Sequence, residues 1–415
     1  MIDPQDFTLM VYNIALIPMI FLSVLFLMLS FISLFTNENK QRKYGEPANL
    51  PFVSVQVPTF NDPIAARCIR KCMKFDYPKD RYEIIIADDS TNVKTQQRLK
   101  RFEKDNPNFI KYIHRTNREG FKPGALKNAM SITKGEIIVL FDSDWIPGKG
   151  FLKEIIKPFS DKRMAIVQTK QGFYNYKTNV ITRFAAYTLM AYHTIMMPLN
   201  NRINCVFFCG TAGALRRSAF DEVGGWNTSS ITEDSELSVK LLRKGYRSVY
   251  LDIETPSEVP DTYEGFIKQQ MRWCYGNTRV FLDKFYDILF GKGLSLKQRF
   301  MITYLTLGNV VAPIVIVMTL FGLGGWFLGE PGLFNWNDLI SFAVRFAYTA
   351  GFLIMGTVTL YKRKQVKEIL HLVYASFTIG LILSMWNSYA FFKALINSKL
   401  HWFCTPKSDN QKVIT

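Results

Sequence analysis

Glu136-Ile-Ile-Val-Leu-Phe-Asp-Ser-Asp144 sets an apolar run, Ile137 to Phe141, directly against a pair of acids. The run is too short for a helix of ordinary length and is rich in β-branched residues, so it reads as a strand buried on both faces. Working back toward the start, Phe52 to Val57, Glu83 to Ala87 and Ile110 to His114 have the same character. Polar stretches with helical spacing lie between them, as in Thr95 to Lys104 and Gly124 to Ile132. Alternation of this kind predicts an α/β domain with a mostly parallel, doubly wound, Rossmann-like sheet. Such sheets bind ligands outside the carboxyl ends of their strands. Two strands here end in acids, Asp88-Asp89 and Asp142-Ser143-Asp144, and that is where chemistry is expected.

The flanks differ from this middle part. Leu9 to Phe35 carries no charge and is long enough to span a bilayer. Its start holds Asp3 and Asp6 rather than basic residues, which argues against a cleaved signal. Three further apolar segments follow the middle, roughly Ile302 to Leu328, Leu339 to Leu360 and Ile369 to Ile396. Phe281 to Phe300 mixes aromatics with Lys284, Lys292, Lys297 and Arg299 and reads as interfacial amphipathic helix. The expected organisation is therefore a transmembrane helix and linker (1–46), a cytoplasmic catalytic domain (47–280), interfacial helices (281–300), membrane segments (301–398) and a cytoplasmic tail (399–415).

The formal net charge is +17. Much of the excess sits beside apolar runs, at Lys40, Arg42 and Lys43 and at Lys362, Arg363, Lys364 and Lys367. That placement fits the positive-inside rule and a lipid bilayer as partner, and it excludes nucleic acid as the expected one. It puts the amino terminus outside and both basic clusters in the cytoplasm. Three complete spans after the catalytic domain would then strand the tail outside, so the last apolar run is expected to lie at the interface. Cys68 with Cys72 and Cys205 with Cys209 lack the further ligands of a zinc site and read as packed, reduced thiols.

Three clusters carry the expected chemistry. Asp142 and Asp144, alternate residues at a strand end, can converge on one hard cation together with phosphate oxygens. In Thr232-Glu233-Asp234, Asp234 is a candidate base for a hydroxyl nucleophile, and Thr232 and Glu233 also suit the start of a helix. In Gln269-x-x-Arg272-Trp273 the arginine can clamp a pyrophosphate while the indole offers a flat face to a sugar ring. A snorkelling arginine beside an interfacial tryptophan would leave the same signature.

These clusters, in this order, resemble the processive branch of glycosyltransferase family 2, which includes cellulose, hyaluronan and mannan synthases. Phe207-Phe208-Cys209-Gly210-Thr211 resembles the acceptor loop of cellulose synthases. Ser257-Glu258-Val259-Pro260 is similar to a segment of plant mannan synthases, and Lys122-Pro-Gly-Ala-Leu-Lys127-Asn128 to the family's donor-facing lysine segment. Trp402-Phe403-Cys404-Thr405-Pro406-Lys407 resembles the gating loop, with Trp402 in place of Phe and Cys404 in place of Val.

The resemblance implies a GT-A fold and an inverting transfer that builds a β-linked polysaccharide and passes it across the membrane. The donor would be a nucleotide-diphosphate sugar, UDP-glucose first and GDP-mannose next, with UDP-N-acetylglucosamine behind them. The acceptor would be the growing glycan, and the metal Mg²⁺ or Mn²⁺ at Asp142 and Asp144. Thr59, Asp88, Asp89, Lys122, Asp142, Gln269 and Arg272 would bind the nucleotide sugar. Asp234 would be the base, Cys209, Glu233 and Trp273 would meet the acceptor, and Trp402, Thr405 and Lys407 would gate. Two alternatives stand beside it: transfer of one sugar to a lipid such as a polyprenyl phosphate or ceramide, and an inert membrane scaffold.

Overall fold

Strands buried on both faces need apolar side chains at nearly every position, and three of the expected strands meet that condition. In the computed structural model, which describes residues 3–35, 44–329, 336–398 and 400, β1 (Val53–Thr59), β2 (Tyr82–Asp88) and β4 (Ile137–Leu140) are buried throughout. β3 (Ile110–His114) is an edge strand with one fully buried residue. Three strands not named from the sequence complete the sheet: β5 (Met164–Phe173), β6 (Gly213–Arg216) and β7 (Arg247–Ser257). The order of the seven strands is β3-β2-β1-β4-β6-β5-β7. All pairings are parallel except those of β6, which runs antiparallel to both β4 and β5.

Alternate residues of the strands pack on opposite faces. Val55, Val57, Ile84, Ile86 and Val139 meet Cys68, Ile69 and Cys72 of the helix Ala65–Cys72. On the other face Ile85 and Ala87 meet Ala125 and Ala129 of the helix Phe121–Met130. Ser54 of β1 and Glu83 of β2 are partnered across the sheet. Ser54 Oγ donates to Glu83 Oε1 (2.7 Å), which Lys111 neutralises from 3.1 Å at the other oxygen. Gly135 lets β4 begin against β1, because a Cβ there would stand 2.4 Å from Ser54 N.

This order brings the acids together. Strand order reverses between β1 and β4, and the crevice outside such a reversal is the binding position of open α/β sheets. β1 ends at Thr59, β2 at Asp88, and β4 one residue before Phe141-Asp142. Because β6 is antiparallel, its beginning rather than its end reaches that edge and delivers Cys209 and Gly210. β7 ends there with Ser257 and Glu258.

Among the described residues three helices are long and apolar enough to cross a bilayer: Pro4–Leu34, Leu296–Leu328 and Val366–Leu395. The run expected over Leu339 to Leu360 is instead two helices, Trp336–Thr349 and Gly351–Lys362, broken at Ala350. The break has a local cause. Gly351 N donates to Ser23 Oγ (2.8 Å), and a Cβ at Gly351 would lie 2.2 Å from Ser23 O, so the chains touch there backbone to backbone. Farther along, Lys362 Nζ donates to Ser33 O (2.8 Å), so Gly351–Lys362 runs parallel to the amino-terminal helix. The Leu296–Leu328 segment runs antiparallel to it, with Gly322 against Tyr12 and Gly325 against Thr8, the small-residue contact typical of membrane helices.

The last helix behaves differently. Near its start Glu368 pairs with Arg183 and accepts from Tyr187 (2.6 Å), both on the helix Val180–Ala191. Near its end the Asn387 carbonyl lies 3.2 Å from Cys274 Sγ, and Ala394 O accepts from Arg279 (3.1 Å). Both ends thus rest on the helices that cover the sheet domain. The bend around Phe285, Tyr286 and Phe290 turns aromatic rings outward, with Tyr286 77% exposed. Trp402, Thr405, Lys407, Lys40, Arg42 and Lys43 lie outside the described residues.

Candidate active site

A cleft opens at the carboxyl edge of the sheet, and the residues singled out from the sequence reach it from five places in the chain. The segment after β4 contributes Asp142 and Asp144, the helix after β3 Lys122, the approach to β6 Cys209, and the helix Glu233–Arg243 its first residues, Glu233 and Asp234. The helix Tyr263–Asp283 adds Gln269, Arg272 and Trp273. Nine of the residues singled out from the sequence therefore line one cleft.

Lys122 is at its centre. Its Nζ lies 2.7 Å from Asp142 Oδ1 and donates to Gly210 O at 3.0 Å. Burial disfavours the ammonium, but Asp142 and Glu233 outweigh burial and hold the lysine pKa above its usual value. Gly210 is required in this position. It adopts φ +72°, and a Cβ would fall 2.8 Å from Asp234 Oδ2 and 3.4 Å from Lys122 Nζ. The base candidate and the lysine are thus both in contact with one backbone segment.

Asp234 sits in the first turn of its helix, where Ser235 N donates to its Oδ1 (2.8 Å) and the helix dipole favours a carboxylate. Burial raises its pKa, while Lys122 and Arg272 pull it the other way. Glu233 beside it is raised to about 7, first by burial and then by the Asp234 charge. Two adjacent carboxyls with raised affinity for a proton are suited to accept one from a hydroxyl. Ser238 Oγ donates to Asp234 O (2.7 Å) and accepts from Phe208 N (2.9 Å), which ties this helix to the Phe207–Thr211 loop.

Asp144 is held by two separate parts of the chain. Its Oδ2 accepts from Glu258 N at 3.1 Å, and its carbonyl accepts from Arg67 at 3.3 Å. Ser143 between them donates to Asp62. Asp142 and Asp144 are hard oxygen donors opening on one cleft, the donor set that suits Mg²⁺ or Mn²⁺. Among the described residues no group of three or more His, Cys, Asp or Glu converges on a point. Two carboxylates whose remaining ligands come from substrate phosphates fit that finding.

Thr59, Asp88 and Asp89 lie outside this lining, at the ends of β1 and β2, where Thr59 O accepts from Asp89 N (3.0 Å). Asp88 accepts from Ser90 N (3.0 Å) and Tyr112 OH (2.7 Å), and His114 Nδ1 is 3.3 Å away. Asp89 takes a two-pronged contact from Arg115 at 2.8 and 2.6 Å. Both carboxylates are thus already bonded within the protein. Arg115, Tyr112 and His114, like Arg67 and Tyr174, carried no sequence signal. Glu258 stood inside the quoted Ser257–Pro260 segment without a role.

The family model for glycosyl transferase family group 2 matches residues 137–392. A probable glucomannan 4-beta-mannosyltransferase 7 from Oryza sativa subsp. japonica is 34% identical over 280 residues, 64% of this chain and 47% of the relative. Glucomannan 4-beta-mannosyltransferase 1 from the same plant is 32% identical over 267 residues, 61% of this chain and 51% of its own. The chain spans about half the length of the curated relatives it matches. Among solved structures, a mannosyltransferase from Pyrobaculum calidifontis, in complex with GDP-Man and Mn²⁺, superposes with a TM-score of 0.64. It is 18% identical, and the match covers 94% of this chain and 99% of that one, a likeness of fold.

Proposed function

The chain belongs to glycosyltransferase family 2, and from that premise we propose that it transfers hexosyl units from a nucleotide-diphosphate sugar onto a growing β-glycan. The observation that carries this reading is the contact of Lys122 with both Asp142 and the Gly210 segment that touches Asp234. One side of the cleft suits a departing diphosphate and the other an arriving hydroxyl. The curated relatives are named as mannosyltransferases and the solved neighbour holds GDP-Man, which supports GDP-mannose as donor ahead of UDP-glucose.

The residues divide the work. Lys122 and Arg272 place positive charge where the donor diphosphate would lie, and a divalent cation, when bound at Asp142 and Asp144, would neutralise the charge of the leaving group. Trp273 and Cys209 flank the acceptor side, the indole offering a stacking face to a sugar ring. Asp234 takes the proton of the acceptor hydroxyl as its oxygen attacks the anomeric carbon. The bond from that carbon to the diphosphate oxygen breaks on the opposite face, the diphosphate keeps the electron pair, and the configuration inverts.

The same reading sets the membrane arrangement. The antiparallel Leu296–Leu328 segment and the parallel Gly351–Lys362 helix cross as an outward and an inward pass, and the last helix packs on both Tyr263–Asp283 and the Leu296–Leu328 segment. Leu400 packs on the cluster of that helix and Tyr263–Asp283. The test is direct. The full chain in lipid is given GDP-mannose, UDP-glucose or UDP-N-acetylglucosamine with Mg²⁺ or Mn²⁺, and nucleotide release and product linkage are measured. A β-linked oligomannan from GDP-mannose is the expected product. Release of nucleotide from none of the three overturns the reading, and a product of one sugar on lipid replaces it with single transfer.

A further inference from the structure

We propose that Arg67 is a positioning residue for Asp144, acting through Tyr174 and Glu258; the inference rests on the reading of Asp144 as a metal-binding carboxylate. Arg67 lies on the helix after β1, far in sequence from its partners and on the flank of the cleft. Its Nη2 donates to Asp144 O (3.3 Å), Tyr174 OH (2.7 Å) and Glu258 Oε1 (3.4 Å), and its guanidinium stands 5.3 Å from the Tyr174 ring centre. Tyr174 OH in turn donates to the same Glu258 oxygen. Burial, and after it the Glu258 carboxylate, push the phenol well above its usual pKa, so Tyr174 keeps its proton and stays a donor.

The chain of contacts closes on Asp144. Glu258 N donates to Asp144 Oδ2, so the residue whose side chain Arg67 holds is the one whose backbone orients the carboxylate. Arg67 therefore grips Asp144 twice, directly at its carbonyl and indirectly at its carboxylate. The network joins the ends of β4, β5 and β7 to the helix after β1, four segments that no other side chain described above links. The Glu258 side chain is 3% exposed, and without the cation beside it that charge would be buried uncompensated.

A second observation separates positioning from simple cohesion. Nε and Nη1 of Arg67 are buried and have no hydrogen-bond partner among the described residues. A guanidinium kept for stability would have those donors satisfied, since each idle buried donor is unfavourable. The arrangement gives up stability while keeping the one nitrogen that touches Asp144, Tyr174 and Glu258. Residues that orient a metal ligand change metal affinity or activity by about 10- to 100-fold when replaced.

The test measures Mn²⁺ binding by electron paramagnetic resonance, with GDP present, on the full-length protein in lipid nanodiscs. R67Q is expected to raise the Mn²⁺ dissociation constant about 10- to 100-fold, with GDP affinity in the absence of metal unchanged. R67K, which restores the charge but not the fork, recovers part of the loss, and Y174F shows a smaller loss in the same direction. D144N loses Mn²⁺ binding. If R67Q lowers thermal stability yet binds Mn²⁺ as wild type does while D144N does not, the positioning role is overturned. If R67Q fails to fold, Y174F decides, and wild-type Mn²⁺ affinity in Y174F has the same consequence. Wild-type affinity in D144N itself would instead remove the metal reading on which the inference rests.

Discussion

An alanine at position 276 would place its Cβ 2.4 Å from Thr232 Cγ2, 2.7 Å from Thr232 Oγ1 and 3.0 Å from Thr232 Cβ. Ordinary carbon contacts lie at about 3.5–4.0 Å, so the helix Tyr263–Asp283 and the residue preceding Glu233-Asp234 would have to separate by roughly 1 Å. Rotation of the threonine does not relieve the clash, because both γ positions and the Cβ are within reach. Overpacking of this kind costs about 1–3 kcal/mol of stability. The larger effect is on the reaction. A shift of about 1 Å in a catalytic group costs on the order of 10²-fold in rate, or about 2.7 kcal/mol of barrier. G276A is therefore expected to reduce nucleotide release about 100-fold. The G276A/T232A double variant removes the two shortest contacts and should recover at least about tenfold. Wild-type turnover in G276A, or a double variant no faster than G276A while T232A alone is active, would refute the reasoning.

Asp234→Asn should abolish turnover while leaving donor binding intact, measured by nucleotide titration beside product formation. Chelation of divalent ions should stop sugar transfer, and Mn²⁺ or Mg²⁺ should restore it in wild type but not in D142N. For Glu233, the folded-state pKa is raised from the usual 4.5 to about 7. Its contribution to stability is thus full below about pH 4.5 and lost as pH rises to about 7. Thermal unfolding across that window should show this slope in wild type and a shallower one in E233Q, where the raised Asp234 keeps its own share. Turnover should move the opposite way and fall on acidification, because Asp234, also raised, gains the proton that blocks it as a base.

Residue by residue, the legible parts of the fold were those whose burial needs no distant partner. β1, β2 and β4 are apolar runs that stop at acids, and both features are local. β5 and β7 mix polar residues into their runs. Gln168 of β5 is fully buried because it accepts from Cys209 N (2.8 Å) and donates to Thr211 O (3.0 Å), a pairing visible only after folding. The site divides the same way. Asp142, Asp144 and Asp234 announce themselves as acids at element ends, whereas Arg67 and Glu258 are 191 positions apart and no periodicity connects them. The break at Ala350 was hidden because an uncharged, mostly apolar run crosses it from Phe346 to Leu360. What decides it is the touch of Gly351 on Ser23, a contact between helices.

The last helix has a practical meaning for anyone wishing to work with a soluble fragment. Phe266, Met271, Cys274 and Tyr275 of the helix that bears Gln269 and Trp273 share one apolar cluster with Leu372, Ala375, Ile379, Ala390 and Phe391. Cutting the chain after Asp283 would not trim an anchor from a finished enzyme. It would strip the lining from the underside of the helix that presents the arginine and the indole, leaving sticky surface where support had been. Expression trials, detergent choice and crystallisation efforts should accordingly treat residues 366–395 as part of the catalytic body.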